Sequence, residues 1–138
     1  MSAKQPVSVV EAPQRPRFSH RTLWALQILA ALFFFAAGLS KLAGTHYNVV
    51  VFEKVGFGQW FRYLTGVLEL IGATLLLVPR LTAAGGTLLA VVMVGAVFAD
   101  RVALGGTGIP ALICVAVTAS IAWFRRSTFT LGSRTKFD

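Results

Sequence analysis

The sequence predicts an all-α integral membrane protein, a bundle of four transmembrane helices with both termini in the cytoplasm. Of its 138 residues, 56% are hydrophobic and only 13% are charged, whereas typical soluble domains carry about 25% charged residues. The hydrophobic residues form four blocks, at about 23–42, 61–78, 81–99 and 108–124. Each block approaches the roughly 17–25 residues that a helix needs to cross a bilayer. Because lipid cannot satisfy unpaired backbone groups, each block must be helical.

The distribution of basic residues predicts the topology. The formal net charge is +8, and most basic residues lie before the first block, between the second and third, or after the fourth. These residues are Lys4, Arg15, Arg17, Arg21, Arg80, Arg125, Arg126, Arg134 and Lys136. The positive-inside rule places this side in the cytoplasm, so we expect a multi-pass protein of a bacterial inner (plasma) membrane. The excess charge is therefore a topology signal, not a nucleic-acid signal, and the basic tails would be attracted to anionic lipid headgroups.

The first block follows a polar segment rich in proline, with Pro6, Pro13 and Pro16. We expect residues 1–20 to form a disordered cytoplasmic tail. The block itself is too long for the apolar core of a cleaved signal peptide, and Gly44 follows it as a typical helix stop. The membrane domain then covers residues 21–125, and a basic cytoplasmic tail covers 126–138.

A connection rich in aromatic residues, 44–60, joins the first and second blocks. Within it, residues 49–55 predict a short helix lying in the membrane interface. Phe52, together with Val49 and Val55, would face the membrane, and Glu53 with Lys54 would face water.

Short connections define the other three blocks. Only Pro79 and Arg80 separate the second block from the third, so these two helices are antiparallel neighbours. The third block ends at Asp100, and a glycine-rich turn leads to Pro110 in the first turn of the fourth helix. Cys114 is the single cysteine, which excludes an internal disulfide or a thiol metal site and favours a packing role.

Glu69 is the most informative residue, because it lies near the middle of the second block. An ionisable group at that depth costs about 2.5–3.5 kcal/mol on insertion scales, and such groups usually face protein and have a partner. The helix face around Glu69 is small or polar and includes Thr65, Gly66 and Gly72. Small residues allow close helix packing, so Glu69 is expected to point into the bundle.

Lys41, at the end of the first block, is the predicted partner of Glu69. Its helix face also carries the small residue Gly38, so the two small-residue faces are expected to meet. A candidate ligand site or polar core follows, and its members are Glu69, Lys41, Thr65, Arg62 and Asp100. Gly38, Gly66 and Gly72 form the predicted helix-packing seam.

Alternatives remain open for several of these charged residues. Lys41 can instead extend to the membrane interface along its apolar stem. Glu69 can be a protonated acid that donates to a backbone carbonyl, or half of a purely structural pair. Arg62 and Arg101 are more typical of interfacial anchors than of site residues. His20 and His46 are too far apart in sequence to predict a metal site, and no metal is expected.

The chain resembles the DoxX-like family of small four-span bacterial membrane proteins over about residues 23–124. The resemblance rests on AGLSKL at 37–42, FEKVGFGQWFRY at 52–63, TGVLELIGA at 65–73 and the dipeptide Pro79-Arg80. It implies a four-helix transmembrane bundle. Relatives include the small subunit of an archaeal thiosulfate:quinone oxidoreductase and members of oxidative-stress membrane complexes with soluble redox partners. Many relatives carry a histidine near the end of the third span, where this chain has Ala99 and Asp100.

These observations predict a membrane subunit or scaffold for redox chemistry that holds a quinone-like or lipid ligand near Glu69 and Lys41. No catalytic residue is predicted, because four spans leave no room for a soluble catalytic domain and no redox cysteine pair is present. Expected partners are the bilayer and a soluble or membrane redox protein. Two alternatives remain: a proton-coupled transporter component, which would need to form a homo-oligomer, or a structural membrane protein without ligand.

Overall fold

The structure, a computed structural model, describes residues 20–130, with side chains to residue 126. This part is helical and contains no strand. Its helices are α1 (His20–Leu42), α2 (His46–Val55), α3 (Gln59–Leu77), α4 (Thr82–Ala99), a π-helical turn (Asp100–Leu104) that continues α4, and α5 (Ile109–Thr130). Four of these helices, α1, α3, α4 with its π-helical turn, and α5, are long and apolar enough to cross a membrane.

These four helices confirm the predicted four-helix transmembrane bundle and make the chain a multi-pass membrane protein. The predicted tail at 1–20 lies outside the described residues except for His20. Of the predicted tail at 126–138, residues 126–130 belong to α5 and the rest lie outside the described part.

The helices pack in the order α1, α3, α4, α5, with only slight contact between α1 and α5. The core is narrow, and all four spanning helices contribute to it. Its residues are Ala30, Ala31, Phe34, Ala73, Leu76, Leu89, Met93 and Ile121. Large apolar side chains such as Leu29, Phe33 and Phe98 are exposed, as expected for surfaces that face lipid. We call the end with the start of α1, the α3–α4 turn and the end of α5 the basic end, and the opposite end the α2 end.

Glycines set the distance between α3 and each of its two neighbours, α1 and α4. A Cβ added to Gly38 of α1 would lie 2.9 Å from the carbonyl oxygen of Gly66 on α3. A Cβ added to Gly85 of α4 would lie 2.8 Å from the carbonyl oxygen of Gly72 on α3. Backbones approach this closely only where no side chain intervenes, so α3 is held close to both neighbours.

One side chain of helix α2, Phe52, faces a different surface from the one predicted. Glu53 and Lys54 are exposed, as expected, but Phe52 is buried. Its ring lies 5.9 Å from the ring of Phe61 in the first turn of α3. The prediction that Phe52 faces the membrane is therefore wrong, because α3 offers an aromatic surface that the isolated helix pattern does not reveal. Gly56 ends α2 with a φ of 82°, in the left-handed region.

The third span is longer than the predicted block 81–99, since the π-helical turn extends it to Leu104. Charged side chains attach the following loop to this turn. The Asp100 carboxylate accepts a hydrogen bond from the Gly108 amide at 2.7 Å. Arg101 Nε donates to the Thr107 carbonyl at 2.8 Å. These bonds satisfy two backbone groups of the loop that leads to α5.

Candidate functional site: a buried ion pair between α1 and α3

Lys41 and Glu69 form an ion pair between α1 and α3. The Lys41 Nζ atom lies 2.9 Å from both carboxylate oxygens of Glu69. The Glu69 side chain is only 1% exposed, whereas that of Lys41 is 18% exposed. One partner is thus enclosed by protein, and the other still reaches the surface of the bundle.

The local sequence explains how the two side chains meet. Lys41 lies in the last turn of α1, where a cation interacts favourably with the helix dipole. A Cβ added to Gly66 would lie 3.2 Å from the Lys41 Cβ, so the absence of a side chain at 66 leaves room for the lysine stem. The stem runs along this gap toward Glu69. The ammonium group is therefore paired with Glu69 between the two helices.

Arg62 joins this pair through the backbone. Its Nη1 donates to the carbonyl oxygen of Lys41, and its Nε donates to Gln59 Oε1 at 2.7 Å. The residue is 4% exposed, and its guanidinium carbon lies 4.3 Å from the centroid of the Tyr63 ring. Arg62 is therefore buried at the α2 end, between α1 and α3. It satisfies a carbonyl that the C-terminus of α1 leaves without a helical partner.

Thr65 and Asp100 make their hydrogen bonds elsewhere. The Thr65 hydroxyl donates to the carbonyls of Phe61 and Arg62 in its own helix, at 3.1 and 3.0 Å. Asp100 accepts from the loop after the π-helical turn. Of the five predicted polar residues, the structure thus brings together Lys41, Glu69 and Arg62, which we call the charged cluster.

Sequence reasoning missed the groups that attach α2 to the bundle. Asn48 is buried and donates from Nδ2 to the Ser40 hydroxyl at 3.1 Å and to the Thr45 hydroxyl at 2.8 Å. Gln59 Nε2 donates to the Val49 carbonyl at 3.1 Å. The sequence did contain a signal for this contact. Asn48 and Phe52 are four residues apart and therefore lie on the same face of α2.

A second polar group, which we call the neutral cluster, lies toward the basic end. Gln27 Nε2 donates to the Leu76 carbonyl at 2.8 Å and to the Thr82 hydroxyl at 3.3 Å. Gln27 and Thr82 are both fully buried. Within the described part of the chain, Gln27 Oε1 has no hydrogen-bond partner. This cluster links α1 to the end of α3 and the start of α4 without any charge.

Comparison with known proteins identifies the family of this chain. The model of the DoxX-like family matches residues 25–126, from the first turns of α1 into α5. The chain belongs to the DoxX-like family. The matched region contains the whole charged cluster and the whole neutral cluster.

One curated relative gives a more specific name. The chain is 31% identical over 72 residues to a Bacillus subtilis (strain 168) protein named "Putative oxidoreductase CatD". The alignment covers 52% of this chain and 54% of that protein, so the chain matches about half the length of this relative. No solved structure matches the chain significantly.

Proposed function

We propose that this DoxX-like protein is a non-catalytic membrane subunit of a redox complex, and that Lys41 and Glu69 bind a quinone-like headgroup. The observation that carries the proposal is the ion pair itself, held between two spanning helices with one partner enclosed. Ionisable groups within a membrane span are uncommon and mark ligand sites or proton pathways. The relative named as an oxidoreductase supports a redox setting. We assign the complex to the inner membrane of a bacterium.

The donor and acceptor chemistry of the pair fits such a ligand. An ammonium group donates hydrogen bonds to a quinone carbonyl, and a carboxylate accepts one from a quinol hydroxyl. When bound, the quinone supplies the capacity to take up electrons and protons. Lys41 is the contact residue, since it keeps 18% of its side chain exposed. Glu69, which is 1% exposed, acts behind it by orienting the ammonium group.

The electrons come from a partner protein. The described residues offer no pair of cysteines, because Cys114 is the single cysteine of the chain. The role of this subunit is therefore to hold the ligand at membrane depth and to recruit the redox partner. The ligand meets Lys41 from the lipid side of the seam between α1 and α3.

The test is native mass spectrometry of the protein extracted gently from its own membrane, which reports bound quinone and partner chains together. We expect Lys41→Gln and Glu69→Gln to lose the quinone. Their matched controls are Lys54→Gln and Glu53→Gln, which remove the same charges from exposed positions on α2. Retention of quinone in both site variants would remove the proposed site.

A double variant separates ligand binding from folding. Lys41→Leu together with Glu69→Leu removes both charges, and replacement of a buried pair by apolar residues is often tolerated. We expect this variant to fold but to carry no quinone. If it folds and supports full activity of the complex, the pair serves helix registry alone.

A second candidate is a component of a proton-coupled transporter. The same observation favours it, because buried carboxylate and ammonium groups are parts of proton relays. Proteoliposomes with a pH gradient distinguish the two functions. Proton flux that Glu69→Gln abolishes and Glu53→Gln preserves would favour transport over the redox subunit.

A further inference from the structure

A lipid-facing groove runs between α4 and α5, away from the charged cluster. Its volume is about 500 Å³. Small side chains form its floor, and Trp123 and Arg126 lie at its basic end. Its walls include Ala83, Thr87, Ala90, Val94 and Ala119.

The length of the groove matches one leaflet of a bilayer. Ala83 is the second residue of α4, and Val94 lies three turns further along the same helix. At 1.5 Å per residue this separation is about 16 Å. Half of a hydrocarbon core of ~30 Å is about 15 Å. The groove therefore extends from the basic end to near the middle of the membrane.

The walls of the groove are chemically apolar. Thr87 is the polar side chain among the wall residues, and its hydroxyl donates to the Ala83 carbonyl of its own helix at 2.8 Å. Its hydrogen-bonding capacity is thus used within α4. An occupant therefore needs no hydrogen-bonding group along this length. An acyl chain has none.

The mouth of the groove is cationic. The Arg126 guanidinium carbon lies 3.2 Å from the centroid of the Trp123 ring, and both side chains are exposed. Stacking on an aromatic ring holds the guanidinium in place without neutralising its charge. The acidic residues of the described part, Glu53, Glu69 and Asp100, all lie away from the basic end. An anionic headgroup is complementary to this mouth.

We propose that the groove binds one anionic phospholipid from the leaflet at the basic end. One acyl chain lies along Ala83, Ala90 and Ala119, and the phosphate pairs with Arg126. A guanidinium matches the geometry of phosphate oxygens better than an ammonium does. Trp123 lies at headgroup level, where tryptophan is enriched in membrane proteins.

A second copy of the chain is a poorer occupant of the same face. In a symmetric dimer of two copies with the same membrane orientation, the two-fold axis lies along the membrane normal. The same surface patch of each copy then forms the interface. Arg126 of each copy would approach the other near the axis. Like charges brought together repel each other, whereas a lipid phosphate neutralises Arg126.

Native mass spectrometry with defined lipids tests the proposal. The purified chain in neutral detergent is titrated with dioleoyl-phosphatidylglycerol or with dioleoyl-phosphatidylcholine. We expect the anionic lipid to bind at one site and Arg126→Gln to weaken its binding about fivefold, the effect of about one basic residue at an anionic surface. The control Arg80→Gln removes a charge from the same end but from outside the groove, and should change binding less than twofold.

A second variant tests the groove independently of charge. Ala119 is exposed in the groove, so Ala119→Phe fills the groove from a position that does not contact the core. It should abolish retention of the lipid, while Ala84→Phe, at an exposed position outside the groove, should not. Circular dichroism checks that both variants fold. Equal losses in Arg126→Gln and Arg80→Gln, no preference for the anionic lipid, or a dimer that Ala119→Phe disrupts would each overturn the proposal.

Discussion

The charged cluster and the neutral cluster join the same pair of helices in two different ways. The charged cluster links Lys41 of α1 to Glu69 of α3, with one partner 18% exposed. The neutral cluster links Gln27 of α1 to the Leu76 carbonyl at the end of α3 and is fully buried. The neutral cluster is thus buried throughout, whereas in the charged cluster Glu69 is enclosed but Lys41 still reaches the surface. This difference follows from the cost of transferring an ion out of water, which far exceeds that of an amide.

Both clusters also lie beside a close approach of two helices. Gly38 and Gly66 face each other near the charged cluster, and Gly85 faces the carbonyl oxygen of Gly72 near the neutral cluster. Small residues set the helix separation, and the polar groups then reach across it. Close helix packing is thus common to both clusters, whereas charge is present in only one of them.

The largest effect is expected from Lys41→Leu. This change leaves the enclosed Glu69 carboxylate without its cation, and removal of one partner of a buried pair costs about 3–5 kcal/mol. Glu69→Leu should cost less, because the partly exposed Lys41 can extend to the interface. Reversible unfolding in mixed micelles measures both, with Lys54→Leu on the surface of α2 as the control. Equal costs for Lys41→Leu and Glu69→Leu would contradict the asymmetry on which the comparison rests.

A smaller but clear effect is expected from Gly85→Ala. The added Cβ would lie 2.8 Å from the Gly72 carbonyl oxygen and 2.8 Å from the Leu76 amide nitrogen. Backbone atoms cannot move aside like a flexible side chain, so overpacking should cost about 1–3 kcal/mol. The same unfolding measurement applies.

Gly95→Ala is the matched control on the same helix. No atom lies within 4 Å of a Cβ added there, and alanine favours a helix over glycine by up to about 1 kcal/mol in water. This change should leave stability unaltered or raise it. Similar destabilisation by both substitutions would show that helix α4 tolerates no change at glycine, independent of the contact with α3.

The smallest effect is expected from Gln27→Leu. The substitution removes a hydrogen bond to the Leu76 carbonyl, but Thr82 still donates to that oxygen at 3.3 Å. It also removes the unpartnered Gln27 Oε1. Hydrogen bonds between helices in membranes average about 0.6 kcal/mol, so the change in unfolding free energy should stay below about 1 kcal/mol. A loss as large as that of Lys41→Leu would show that the neutral cluster holds the bundle together.

Only part of the candidate site could be predicted from the sequence. Glu69 and Lys41 were recognisable, because a charge inside an apolar block is a strong local signal. Arg62 was left between two interpretations, a member of the polar core and an interfacial anchor, since its position at the edge of a block is typical of an anchor. Phe52 was assigned to the membrane because the pattern of α2 does not reveal that Phe61 lies against it. Both cases depend on contacts with another helix, which helical periodicity cannot supply.

The sequence by itself determined the four spanning helices, the short connection at Pro79 and Arg80, and the residues that carry charge within the membrane. These features are local, because a bilayer requires every backbone group to be satisfied within its own helix. Only the tertiary structure decided that Arg62 binds the Lys41 carbonyl, that Asp100 binds its following loop, and that α4 and α5 leave a groove ending at Arg126. Those outcomes depend on how each helix is rotated and how far apart neighbouring backbones lie, which packing across the whole bundle sets.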